Sequence, residues 1–191
     1  MVDITILEGA RGTGKSTLAF KMRQRISETT LINPTGFHLD GDKGMEKVAD
    51  YYDVWFSFLT DISKHKSSIL FDRFYFSEKV FSSLYKKYNF TLDYEYYNFK
   101  LNELSKQGVR INIFFLTIND EEELKTRLVR DKVPFGKAEE SVKETLLQQK
   151  EYEKLFDKLR NESILNIHYI DTSGKTTDEV YEEILQLKTA N

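Results

Sequence analysis

The sequence predicts a three-layer α/β fold, a five-stranded parallel sheet with helices on both faces, and three observations carry that prediction. Short apolar runs of strand length alternate with longer stretches of helical period along the chain. The fourth of these runs, 111–116, is apolar almost throughout, as a strand covered on both faces must be. Only two prolines, Pro34 and Pro134, punctuate 191 residues, and no low-complexity linker or repeat is present, so 1–191 reads as one domain.

Taken in order, residues 4–7 form the first strand, and a glycine-rich turn leads to a helical pattern over 18–26. The short run 31–33 is a second strand, ended by Pro34, which has no N–H for a central ladder. Val48, Tyr52, Trp55, Leu59 and Ile62 recur every three or four residues and predict a long helix. A third strand, 69–71, ends at Asp72. Val80, Phe81 and Leu84 mark the next helix, and Tyr94, Tyr97, Leu101 and Leu104 the one after it. Beyond the fourth strand, Asn119 with Glu122 predicts the cap of a helix bearing Leu124 and Leu128. Val142, Leu146, Tyr152, Phe156 and Leu159 predict another long helix, and 167–170 the fifth strand. Thr176 and Glu179 form a capping box before Val180, Ile184 and Leu187. Strands separated by helices pair in parallel, and such sheets bind ligands outside the carboxyl ends of their strands.

Composition narrows the chemistry. A net charge of −3, with no block of like charges, argues against a surface built to grip duplex DNA. Without cysteine there is no disulfide, thiolate metal site or cysteine nucleophile, and His38, His65 and His168 lack metal-ligand spacing. No apolar stretch has the length of a membrane span, and the N-terminus lacks a targeting pattern, so the expectation is a soluble cytoplasmic protein.

The strongest local signal is Gly9-Ala10-Arg11-Gly12-Thr13-Gly14-Lys15-Ser16, followed by Thr17, placed after a strand and before a helix. Glycines let the backbone curl so that its amides face phosphate oxygens, and the helix N-terminus adds a favourable dipole. The pattern predicts a nucleotide triphosphate site, with Lys15 on the outer phosphates and Ser16 on magnesium. Arg11 inside the loop is placed to meet the transferring phosphoryl group, or else to project into solvent. Across the rim, Asp72 is expected to hold magnesium or take a proton, and Arg73 to bind the acceptor.

Leu7-Glu8-Gly9 running into Gly14-Lys15-Ser16-Thr17, then Asp72-Arg73-Phe74 with Ser77, Val80 and Phe81, resembles the thymidylate kinase and deoxynucleoside kinase superfamily of P-loop kinases. Ile170-Asp171-Thr172-Ser173 is similar to that family's adenine-side loop, and the resemblance spans nearly the whole chain. It implies ATP as phosphoryl donor and magnesium as cofactor. It also implies Asp171, Thr172 and Ser173 at the adenine, and an arginine-bearing lid at about 127–140. Arg127, Arg130 and Lys132, ahead of 133–136, are its candidates, against the alternative of a solvated helix face.

One departure matters. Deoxynucleoside kinases carry a glutamate before proline after the second strand, acting as base toward the 5′-hydroxyl, whereas this chain has Asn33 before Pro34. An amide takes no proton at neutral pH, which tips the expectation toward a deoxynucleoside monophosphate acceptor, already ionised, unless Asp40 or Asp42 supplies the carboxylate. The alternatives are a hydroxyl acceptor (a deoxynucleoside, or a hydroxymethylated pyrimidine within DNA, the one case involving nucleic acid) and a nucleotide-driven switch or ATPase. Asn33, Trp55, Phe74 and Phe81, with Arg73, are the acceptor-side candidates, although aromatic residues at helical spacing more often form core. A homodimer is compatible with the sequence.

Overall fold

Five strands, β1 (Asp3–Glu8), β2 (Thr29–Ile32), β3 (Ser68–Asp72), β4 (Arg110–Thr117) and β5 (Asn166–Asp171), pair in parallel in the order β2-β3-β1-β4-β5. Between and after them run α1 (Lys15–Arg25), α2 (Gly41–Ile62), α3 (Tyr75–Tyr85), α4 (Thr91–Lys106), α5 (Glu121–Arg130), α6 (Ala138–Glu162) and α7 (Thr177–Thr189). The structure, a computed structural model, describes residues 2–34, 39–130 and 138–189, with side chains described outside 138–140. The expected lid residues 132–136 therefore lie outside the described residues.

Burial follows strand position. β4 is buried at every residue after its first, and β1 likewise, whereas the edge strands β2 and β5 are only partly covered. One face of the sheet carries Ile4, Ile6, Phe71, Ile113 and Phe115 against α2, α3, α4 and α6, in a layer rich in aromatic rings. Phe56 and Tyr97 stack there at 5.1 Å between centroids, and Phe71 and Phe74 at 4.3 Å. The other face carries Leu7, Leu70, Phe114 and Leu116 against α1 and α7. Each such ring or branched chain buried contributes about 1.5–3 kcal/mol, so the sheet ends are held by a rigid floor.

Register fixes what meets at the rim. Leu7 pairs with Asp72, and Ile32 with Phe71, so the turns that follow β1, β3 and β2 emerge side by side. The α5 cap differs by one residue from expectation. The Asp120 side chain accepts the Glu123 amide at 2.9 Å, while the Asn119 side chain donates to Asp171 instead. The Thr176–Glu179 capping box forms as expected, with the Thr176 amide donating to Glu179 at 2.7 Å. Among the described residues, no helix is long and apolar enough to cross a membrane.

Candidate active site

The turn from β1 into α1 is a cradle for phosphate. A Cβ on Gly9 would sit 2.2 Å from the Leu116 carbonyl oxygen, so only glycine lets the loop pass β4. Gly14 caps α1 with φ +83°, the left-handed region glycine favours, and turns the chain so that the first amides of the helix point outward, free of helical partners. Lys15 is buried, its ammonium folded back onto the Ala10 carbonyl at 2.6 Å and near the Thr13 hydroxyl at 3.4 Å. Burial, and then the Arg73 charge, hold its pKa well below the usual lysine range. A phosphate oxygen entering the loop would replace that carbonyl and restore the charge's partner. Ser16 and Thr17 are exposed on the first turn of α1.

Asp72 and Arg73 stand opposite. One carboxylate oxygen of Asp72, Oδ2, accepts from the Asn33 amide at 3.4 Å, while Oδ1 is buried without a partner among the described residues. Arg73 has φ +74°, an uncommon conformation for a residue with a side chain, and its amide still donates to the Leu7 carbonyl. That turn aims the guanidinium along α3, where Nη1 donates to the Ser77 hydroxyl at 3.2 Å and the Tyr152 hydroxyl at 2.9 Å. Ser77 in turn donates to Glu8 at 2.6 Å, and the other Glu8 oxygen accepts the Phe74 amide at 2.7 Å. Because the Ser77 proton goes to Glu8, Tyr152 must donate to Ser77, and a directed chain runs Arg73 to Tyr152 to Ser77 to Glu8. Burial raises the Glu8 carboxyl to about 7, against the lowering pull of Ser77, Arg73, the Phe74 amide and Lys15. Burial opposes the Arg73 charge too, but Tyr152, Glu8 and Asp72 together outweigh it and raise the arginine's pKa.

The sequence reading assigns neither Glu8 nor Tyr152 a role in the site. Tyr152 reads there as a core position, which its ring is, and only the need of a buried phenol for a partner hinted at more. Glu8 offered a firmer signal, a carboxylate closing an otherwise apolar central strand.

On the α5 and α7 side of the loop lies a cleft of about 470 Å³ whose walls include Thr13, Thr17, Arg127, Arg130, Thr172 and Lys175. Arg127, one of the expected lid arginines, lines this cleft. It pairs with Glu123 at 2.6 Å and donates to the Gly12 carbonyl, the Thr172 hydroxyl and the Thr172 carbonyl, so all five of its N–H groups are engaged. The i,i+4 pairing with Glu123 draws it across the cleft as a tie between the phosphate loop and the β5–α7 turn. Asp171 and Ser173 are likewise spent on the turn itself. Asp171 accepts from Ser173 and Asn119, and Ser173 accepts the amides of Asn119 and Asp120. Of that trio only Thr172 faces the cleft. Arg130 borders it as well.

A second cavity of about 300 Å³ opens beside the loop, lined by Arg11, Arg73 and Phe81 and by Glu144, Thr145 and Gln148 of α6. Arg11, exposed on the loop, thus shares a cavity with Arg73. Phe81 lies under the Arg73 guanidinium, 5.8 Å from ring centroid to Cζ. Phe74, by contrast, is fully buried among Tyr52, Phe56, Phe71 and Tyr75, so the expected base contact there is corrected to a core role. Trp55 packs edge-on against Tyr51, Phe58 and Phe71 and lines neither cavity. Asp40 does not supply a missing base either, because it caps α2 and accepts the amides of Gly41 and Lys87. Asp42 is exposed on the first turn of α2.

No protein-family profile matches the chain, and no curated protein is similar to it. Solved structures are. A deoxyadenosine kinase from M. mycoides with the products dCMP and a flexible dCDP bound shares 17% identity over 98% of this chain and 100% of its own, with a TM-score of 0.53. The same kinase with bound dATP shares 16% over 98% and 100%, with a TM-score of 0.54, and with bound dCTP 16% over 100% of both chains, with a TM-score of 0.52. Phosphate loop, strand order and full-length likeness agree, and the chain has the P-loop kinase fold seen in deoxynucleoside kinases.

Proposed function

We propose that the protein transfers the γ-phosphoryl group of ATP to the 5′-hydroxyl of a deoxynucleoside. The observation that carries this reading is Asp72 Oδ1, without a partner among the described residues and buried at the rim beside Lys15 and Arg73. Asn33, which takes no proton itself, donates to Asp72 Oδ2 and leaves Oδ1 as the open acceptor for a hydroxyl proton. The structural likeness to a deoxyadenosine kinase supports the same choice and reverses the preference for a monophosphate that Asn33 alone prompts. In the proposed reaction the donor phosphates lie along the loop amides and Lys15, while Arg11 and Arg73 face the transferring group.

Magnesium suits the oxygen donors present: Ser16, on the first turn of α1, and Asp72 would hold it or its waters. When bound it would neutralise charge on the phosphates. Among the described residues no cluster of three acidic, histidine or cysteine side chains forms a metal cage, so ATP itself would supply the remaining ligands.

A second reading, a monophosphate acceptor, rests on Arg11 and Arg73 sharing one cavity, where two guanidinium groups would hold an anion that needs no base. Labelled ATP offered with deoxynucleosides and with their monophosphates separates the two. On the first reading nucleosides are phosphorylated, and Asp72→Asn lowers kcat by roughly a hundredfold or more. Transfer to monophosphates alone, with Asp72→Asn near the parent rate, would make the second reading the correct one.

A further inference from the structure

Along α6 the buried face runs Val142, Thr145, Gln149, Tyr152, Phe156 and Leu159, a strict alternation of three- and four-residue steps. The two ends of that face pack into different apolar clusters. Val142 joins Ile118 and, from α5, Leu124 and Leu128, whereas Tyr152, Phe156 and Leu159 join the aromatic layer on the sheet. Gln149, only 6% exposed, stands at the seam between them, where a leucine would continue the pattern.

What Gln149 adds there is direction. Its carbonyl oxygen accepts the Ile118 amide at 3.0 Å, the first amide past the end of β4. Its Nε2 lies 3.4 Å from Asn119 Oδ1 and from Glu153 Oε1. The same junction is gripped from its other side. Asn119 donates to Asp171 at 2.9 Å, and the Ser173 hydroxyl accepts the amides of Asn119 and Asp120 at 2.8 and 3.1 Å. Residues 118–120 are therefore fixed to the β5–α7 turn, and Gln149 fixes α6 to them. Three residues beyond Gln149 on α6, the Tyr152 hydroxyl accepts from Arg73 Nη1 at 2.9 Å.

Apolar contacts alone would not hold that geometry. They are non-directional, so a stripe of branched and aromatic side chains tolerates small slides and rotations of a helix. A hydrogen bond weakens steeply with misalignment, and a single buried polar group is a device by which packed helices fix their register.

We infer that Gln149 is a positioning residue for Arg73: it registers α6 against the end of β4, and so sets where Tyr152 presents its hydroxyl to the guanidinium. The consequence for turnover rests on the kinase reading above, whereas the contact itself does not.

The test is a double-mutant cycle in the full chain, with kcat and the ATP KM measured on a nucleoside or monophosphate that the parent phosphorylates. Gln149→Leu keeps the stripe apolar and removes the accepting oxygen. It should lower kcat by about three- to tenfold and leave the ATP KM within about twofold. Added to Tyr152→Phe, it should cost less than about twofold more, because the hydroxyl that it positions is already gone. Losses that multiply, or an unchanged kcat in Gln149→Leu, would overturn the inference. If Gln149→Leu does not fold, Gln149→Asn, which withdraws the oxygen by one methylene, takes its place in the cycle with the same expectations.

The guanidinium NMR signal of Arg73, assigned by its absence in Arg73→Lys, reads the contact without turnover. It should move in Gln149→Leu in the direction that Tyr152→Phe moves it. An unmoved signal would overturn the inference and leave the kinase reading standing. A moved signal, in a protein whose parent phosphorylates neither class of acceptor, would uphold the positioning role and overturn the kinase reading.

Discussion

The two clefts flanking the phosphate loop are built on different terms. On the donor side, polar groups satisfy one another: Arg127 spends every donor, Asp171 and Ser173 close their own turn, and Glu123 holds both Arg127 and the Gly174 amide. Around the Asp72–Arg73 turn, charges are buried beyond what their partners settle: Glu8 raised to about 7, Lys15 held low, Asp72 Oδ1 without a partner among the described residues, Arg73 in a left-handed conformation. A satisfied cleft is a mould for a constant ligand. An unsatisfied one stores free energy that a substrate can release, and such places are where reactive groups collect.

The largest effect should come where the two clefts meet. Lys15→Ala should lower kcat on the order of a thousandfold at saturating ATP while the thermal midpoint holds, since Lys15 contacts only loop atoms that water can serve. Turnover near the parent rate would dissolve the distinction between the clefts altogether.

Glu8→Gln tests the strain directly. In the fold the carboxyl's pKa is raised from 4.5 to about 7, so the fold disfavours its charged form. The sign follows: the neutral carboxyl is accommodated below about pH 4.5, and stability is lost as pH rises from there through 7. Glutamine carries no such loss. The variant should gain on the parent progressively between pH 5 and 8, by about 3 kcal/mol in all, read from urea midpoints at each pH. A difference that does not change with pH would show that Glu8 is not strained.

Tyr152→Phe removes one bond from Arg73 and leaves the ring in the core. It should lower kcat by about tenfold with an unchanged ATP KM, a single charge-assisted bond being worth about 1.5 kcal/mol or more. Loss confined to thermal stability would make the chain from Arg73 to Glu8 a packing feature only. The smallest effect is expected on the donor side. Arg127→Ala should raise the ATP KM about threefold and leave kcat alone, because water can replace it on the Gly12 and Thr172 carbonyls. A steep fall in kcat would instead make Arg127 the arginine that meets the transferring phosphate.

The succession of strands and helices, the phosphate loop and the placing of Asp72 at a strand end are legible along the chain, because each rests on local periodicity or on a contiguous motif. Where the loop passes β4, a single glycine is legible for the same reason. Tertiary structure decided the rest. Phe74 and Phe81 lie on the same α3 approach, yet one ring turns into the aromatic layer and the other onto a cavity, a choice made by the rings that arrive from α2. Arg73 depends on Tyr152 from α6 and, through Ser77, on Glu8 of β1, and Arg127 depends on Gly12 and Thr172. Those partners are far apart in the chain, and no local pattern encodes them. Side-chain charge tells what a residue can do, whereas burial and the partners brought by packing decide what it does.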